Sequence, residues 1–138
     1  MTKAGKAQAF LLLGLLWGGA AAFAEPKTPA AQGAIKSASY IVRLASAPEQ
    51  PVRGLDALEA YVLDAAGKPV EDAQVSFDLN MTNMNHGKNV VMAAAQGRGR
   101  YAGQVRFMMP GPWRVIVRVV RPGVPPEDLR FEFKVNFF

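Results

Sequence analysis

The closing stretch of the chain, "LRFEFKVNFF", sets Leu129, Phe131, Phe133 and Val135 in strict alternation with Arg130, Glu132, Lys134 and Asn136. Successive side chains point to opposite sides only in an extended strand, so this period buries its apolar set as one face of a sheet. The same pattern recurs upstream. In "WRVIVRVV", Trp113, Val115, Val117 and Val119 share one side, with Arg114 and Arg118 on the other. In "AQVSFDLN", Val75, Phe77 and Leu79 oppose Ser76, Asp78 and Asn80. "YIVRLAS", "LDALEAYVLD", "KNVVMAAA" and "YAGQVRFM" supply further runs, although Leu58, Glu59 and Ala60 also suit a helix. Turn chemistry separates them: "APEQPVRG", "DAAGKPV", "QGRGR", "MPGP" and "RPGVPPED". Seven strands, each with one apolar face to cover, predict an all-β sandwich of two antiparallel sheets packed face to face.

The N-terminus has a different character. Lys3 and Lys6 precede the apolar run "AFLLLGLLWGGAAAFA", which ends in the small-x-small pattern Ala22-Phe23-Ala24 before "EPKTPAAQG". That is the layout of a secretory signal peptide over residues 1–24, with cleavage before Glu25. The run falls short of the roughly 20 residues a spanning helix needs, and Gly14, Gly18 and Gly19 weaken it further. A membrane association is expected only if this segment stays uncleaved. Residues 25–38 lack periodicity and read as a flexible lead-in, leaving residues 39–138 as one domain. The expected location is periplasmic or secreted.

Loss of Lys3 and Lys6 lowers the formal charge from +5 to +3, too little to argue for nucleic acid. With no cysteine there is no thiol nucleophile, disulfide or thiolate metal site, and with one histidine there is no multi-histidine centre. The carboxylates fall singly on outward strand positions or in turns, and "GRGRYAG" reads as a hairpin rather than a phosphate loop. A non-catalytic protein is expected.

One segment does carry chemistry. "MTNMNH" holds Met81, Met84 and His86, two of the six methionines and the only histidine. Thioethers are soft neutral ligands suited to Cu(I), and imidazole suits copper in either oxidation state. Asn83, Asn85 and Gly87 tolerate the left-handed conformations that turn such a loop back on itself. Met109, at the end of another strand in "FMMPG", is the candidate fourth ligand, because loops at one end of a sandwich cluster. Whether Met92 or Met108 joins is open. So is a packing role, with Met81 and Met109 as core plugs and His86 solvated. A second candidate surface is the row Arg106, Arg114, Arg118, Arg130 and Lys134, with apolar Ile116 and Val120, all outward by parity. It suits either another envelope protein or plain solvation.

The order of motifs is also familiar. "DAAGKPVEDAQV" (64–75) is followed by Met-x-x-Met-x-His, by "G-x-Y-x-G-x-V" (Gly99 to Val105) and by "M-P-G-x-W-x-V-x-V" (Met109 to Val117). Across roughly residues 50 to 122 this resembles the YtkA-like domain, a family of small exported or membrane-anchored bacterial proteins similar to the FixH family. The resemblance implies an immunoglobulin-like sandwich linked with copper or heavy-metal handling and with respiratory oxidase assembly. It assigns the Met/His segment to Met81, Met84 and His86, and gives Pro110, Gly111 and Trp113 to the turn and core. A cleavable-looking signal in place of a durable anchor departs from the FixH pattern and tells against a role inside a membrane-bound assembly complex. The leading expectation is an exported metal-binding protein that sequesters or delivers copper. The alternative is a non-catalytic interaction module of the cell envelope, accessory to oxidase assembly.

Overall fold

The computed structural model describes residues 32–138. The expected signal peptide and the first part of the lead-in lie outside the described residues. Nine strands form: β1 Gln32–Lys36, β2 Tyr40–Ala47, β3 Gly54–Asp64, β4 Gln74–Met81, β5 Val90–Met92, β6 Ala94–Gly97, β7 Arg100–Phe107, β8 Gly111–Arg121 and β9 Val124–Val135. They build two antiparallel sheets in the orders β1-β2-β3-β7-β6 and β5-β4-β8-β9. Among the described residues no helix is long and apolar enough to cross a membrane.

The sandwich is as the alternation requires, but with nine strands among the described residues instead of seven. Two local causes account for the difference. Gln32–Lys36, expected within a flexible lead-in, pairs with β2 through an irregular register, and Ile35 packs on the core. The run "KNVVMAAA" divides at Ala93, its first half pairing with β4 and its second with β7. One segment thus passes from one sheet to the other.

The core is where the two inner faces meet. Val42, Leu44, Leu58, Ala60 and Val62 from one sheet face Val75, Phe77, Leu79, Val115, Val117 and Val119 from the other, all without solvent exposure. Tyr101 fastens the β3–β4 connection: its hydroxyl donates to the Val70 carbonyl at 2.8 Å and accepts from the Ala73 N–H at 3.3 Å.

Asp56 is the exception on β3. The parity fixed by Leu58, Ala60 and Val62 turns Asp56 inward, 3% exposed, and Leu55 outward, 59% exposed. Both carboxylate oxygens are buried, and neither completes a hydrogen bond. Burial raises the pKa of this carboxyl, and the nearby Val52 N–H lowers it only in part. With the folded pKa above the unfolded one (about 3.9), the stability the group contributes is present below the unfolded value and lost as pH rises through the folded value. Urea unfolding of wild type and Asp56→Asn is therefore expected to diverge with pH, the variant gaining relative stability as pH rises above about 4, the unfolded-state value, until the folded-state carboxyl has ionised. A difference independent of pH would show that Asp56 does not titrate differently on folding.

Candidate metal-binding loop at one end of the sandwich

β4 ends at Met81, and the chain turns back through residues 82–89 to enter β5. The hub of this turn is Asn80. Its Oδ1 accepts the backbone N–H of Met81 at 3.0 Å and of His86 at 2.8 Å. Its Nδ2 donates to Asn85 Oδ1 at 3.0 Å and to the Gly87 carbonyl at 3.2 Å. Four bonds use the full capacity of one amide, which is why Asn80 is only 8% exposed despite its outward parity. Asn85 Oδ1 also accepts from Gly87 N–H, and Leu79 N–H reaches the Asn89 carbonyl, closing the base of the loop.

This anchoring sets His86 over Trp113. The rings stack at 5.2 Å between centroids and 13° between planes. Trp113 is wholly buried, pairs with Met81 across β4 and β8, and meets Phe107 edge-on at 5.3 Å. Its indole N–H donates to the Met109 carbonyl at 2.8 Å, and Thr82 N–H bonds the Pro112 carbonyl at 3.0 Å. Gly111 has φ +134°, and a Cβ there would lie 2.6 Å from Met81 Cε, so the glycine leaves room for the thioether methyl. The Met/His segment and the "MPGPW" segment, 23 or more residues apart in sequence, therefore interlock around one indole.

The four candidate ligands are not equivalent. Met81 is buried, while Met84 is half-exposed; both line an open hollow of about 490 Å³ together with Asn80, Asn83, Asn85, Arg114 and Arg130. His86 and the Met109 backbone gather at Trp113. His86 Nε2 is buried and has no hydrogen-bond partner among the described residues. Met109 is 37% exposed, so the core-plug role suits Met81 and not Met109. Met108 projects beside Arg53 and Arg106. Met92 pairs with Ser76, five residues along β4 from Met81, a separation of roughly 17 Å at strand spacing. Among the described residues no three His, Asp or Glu side chains gather for a metal, so a site here would rest on thioethers and one imidazole.

The arginine row is differently arranged from its sequence expectation. Arg106 belongs to β7, in the sheet opposite to β8 and β9. On β8 and β9 the cations alternate with acids: Arg114 pairs in register with Glu132, and Arg118 with Asp128, whose side chains bond at 3.2 Å. Arg130 bonds Glu132 at 3.2 Å. The face is a charge mosaic and not a basic patch.

Asn80 as hub was the part of the site that sequence reasoning missed. Its visible sign was the spacing Asn80, Asn85, Gly87, an amide, a second amide and a positive-φ glycine within eight residues.

Two solved structures share this architecture. The PmoD soluble domain from Methylocystis sp. ATCC 49242 is 13% identical with a TM-score of 0.54, the match covering 75% of this chain and 96% of that one. A DUF4426 family protein from Pseudomonas aeruginosa PAO1 is 12% identical with a TM-score of 0.55, covering 78% of this chain and 99% of that one. At such identities the likeness is one of fold. No curated protein matches the sequence. The YtkA-like family model matches residues 35–118, a span that runs from β1 almost to the end of β8 and takes in Asn80, the Met/His loop and the Trp113 platform. On that match, the chain belongs to the YtkA-like family.

Proposed function

We propose that this protein is an exported, non-catalytic metal-binding domain that holds copper as Cu(I) for sequestration or delivery, with Met81, Met84, His86 and Met109 as ligands. The observation that carries the reading is His86: a ring fixed by Asn80 and Trp113, with Nε2 buried and unpartnered. A buried nitrogen without a partner costs free energy, and a bound cation offsets that cost. Met81, opposite Trp113 in register, brings a soft neutral donor to the same end of the sandwich. The neutral donor set suits a monovalent soft cation, and Arg114 and Arg130 beside the hollow disfavour a divalent one. Export rests on the signal-peptide pattern of residues 1–24, and family membership is in keeping with the metal-handling role expected from the sequence.

The test is a Cu(I) competition titration of residues 25–138 against a chromophoric chelator, with the variant Met81→Ala/Met84→Ala/His86→Ala alongside. Stoichiometric binding tighter than micromolar is expected for the wild type and absent from a variant whose circular dichroism is unchanged. No binding by the wild type, or equal retention by the folded variant, removes the reading.

A further inference from the structure

Among the described residues β9 is an edge strand, bonded to β8 on one side only. Which of its backbone groups face outward follows from one hydrogen bond. The Pro112 carbonyl accepts from Thr82 N–H, so at even positions β8 directs its backbone groups toward the β4 side. Its odd positions then bond β9, and the register Trp113 to Phe133 makes the odd residues of β9 their partners. The even residues of β9 bond outward. Asn136 agrees: its N–H donates to the Pro51 carbonyl, and its own carbonyl accepts from Arg53 N–H.

That crossing segment closes the edge at Asn136, and Pro126 has no N–H to offer at the other end. Between them the outward groups of Asp128, Arg130, Glu132 and Lys134 receive no hydrogen bond from another segment among the described residues. The free window is centred on Phe131. Its exposed side chains run acid, base, acid, base.

We propose that this edge pairs antiparallel with β9 of a second copy about a two-fold axis at Phe131, joining two four-stranded sheets into one. Outward-bonding residues pair only with outward-bonding residues, so the register changes in whole steps. Centred on Phe131, Asp128 meets Lys134 and Arg130 meets Glu132, each twice by symmetry. Centred one step away, Arg130 meets Arg130 with Asp128 against Glu132, or Glu132 meets Glu132 with Arg130 against Lys134. Like charges directly opposite are unfavourable, so the charge sequence selects the Phe131 register, in which every free outward group is paired. Edge strands are ordinarily protected by charged side chains, lysine above all, that resist pairing with another edge. This edge carries both signs in self-complementary order. Its present bonds, Arg130 to Glu132 and Arg118 to Asp128, are exposed and join residues that remain available across the axis.

Sedimentation equilibrium of the purified chain tests the proposal. The wild type is expected to dimerise, and Arg130→Glu or Glu132→Arg to weaken the dimer at least about tenfold by setting like charges opposite each other twice. The double variant Arg130→Glu/Glu132→Arg restores pairing. Mixing the two single variants gives a heterodimer, because one then carries acids and the other bases at both positions. Glu132→Pro deletes an outward N–H and no bond to β8, and yields a monomer with unchanged circular dichroism. A wild type that stays monomeric at every attainable concentration overturns the proposal. So does a dimer indifferent to the reversals or to the proline, or a pair of single variants that fail to associate.

Discussion

Trp113→Ala is expected to lower the melting temperature by about 15 °C or more, because emptying a buried indole site costs about 3–5 kcal/mol. Two features push the loss toward the upper end. Trp113 is fully buried between Phe107, His86 and Met81, and its N–H is the partner of the Met109 carbonyl. A domain has about 5–15 kcal/mol in hand, so the variant keeps a fold with a much larger unfolded fraction. Trp113→Phe separates the contributions: it retains an aromatic platform and forfeits the indole hydrogen bond, a loss of about 1 kcal/mol. Thermal melts of both variants, with Cu(I) titration of the Phe variant, read the two roles. Equal melting temperatures for wild type and Trp113→Ala would mean that the indole does not hold the two loops.

Gly99→Ala is expected to cost about 3 kcal/mol, far more than the same change at Gly97. Both glycines have positive φ, +78° and +88°, so both substitutions carry the backbone strain of a left-handed alanine. Only Gly99 lacks space. A Cβ there would lie 2.7 Å from the Val62 carbonyl oxygen and 3.0 Å from Pro69 Cβ, whereas at Gly97 nothing lies within 4 Å. Val62 cannot move away cheaply, since its N–H bonds the Gly99 carbonyl and its carbonyl accepts from Val70 N–H. Urea unfolding of the two alanine variants isolates the steric part as their difference. Equal losses would contradict the close approach of the β6–β7 turn to β3.

The strands that alternate cleanly were legible because their period has one solution. Val75, Phe77 and Leu79, or Trp113, Val115, Val117 and Val119, can be covered together only as one sheet face. β1 was not legible, since Gln32–Lys36 offers only Ile35 to the core and owes its form to pairing with β2. Leu55 and Asp56 show parity overriding polarity: their neighbours on β3 fix the facing, and the less suitable residue of the two goes inside. In the candidate site, Met81, Met84 and His86 stood out by residue type, and clustering with the "MPGPW" segment followed from sandwich geometry. What joins them was hidden. Asn80 looks solvent-facing by alternation and becomes buried only once the loop folds over it, which no local pattern encodes.

The order in which strands neighbour one another has a kinetic consequence. β3 finds its partner in β7, and β4 in β8, so each sheet depends on chain made long after its first strands. Distant pairings of this kind must close large loops before any contact rewards them, which places folding in the millisecond-to-second range typical of such topologies. A nascent chain ending at Phe107 has only β4 and the three-residue β5, without β8, β9 and Trp113, to cover the apolar side of β2, β3 and β7. The fold is gained nearly all at once, when β8 and β9 arrive, and a shortened chain is an unfolded chain and not a smaller sandwich.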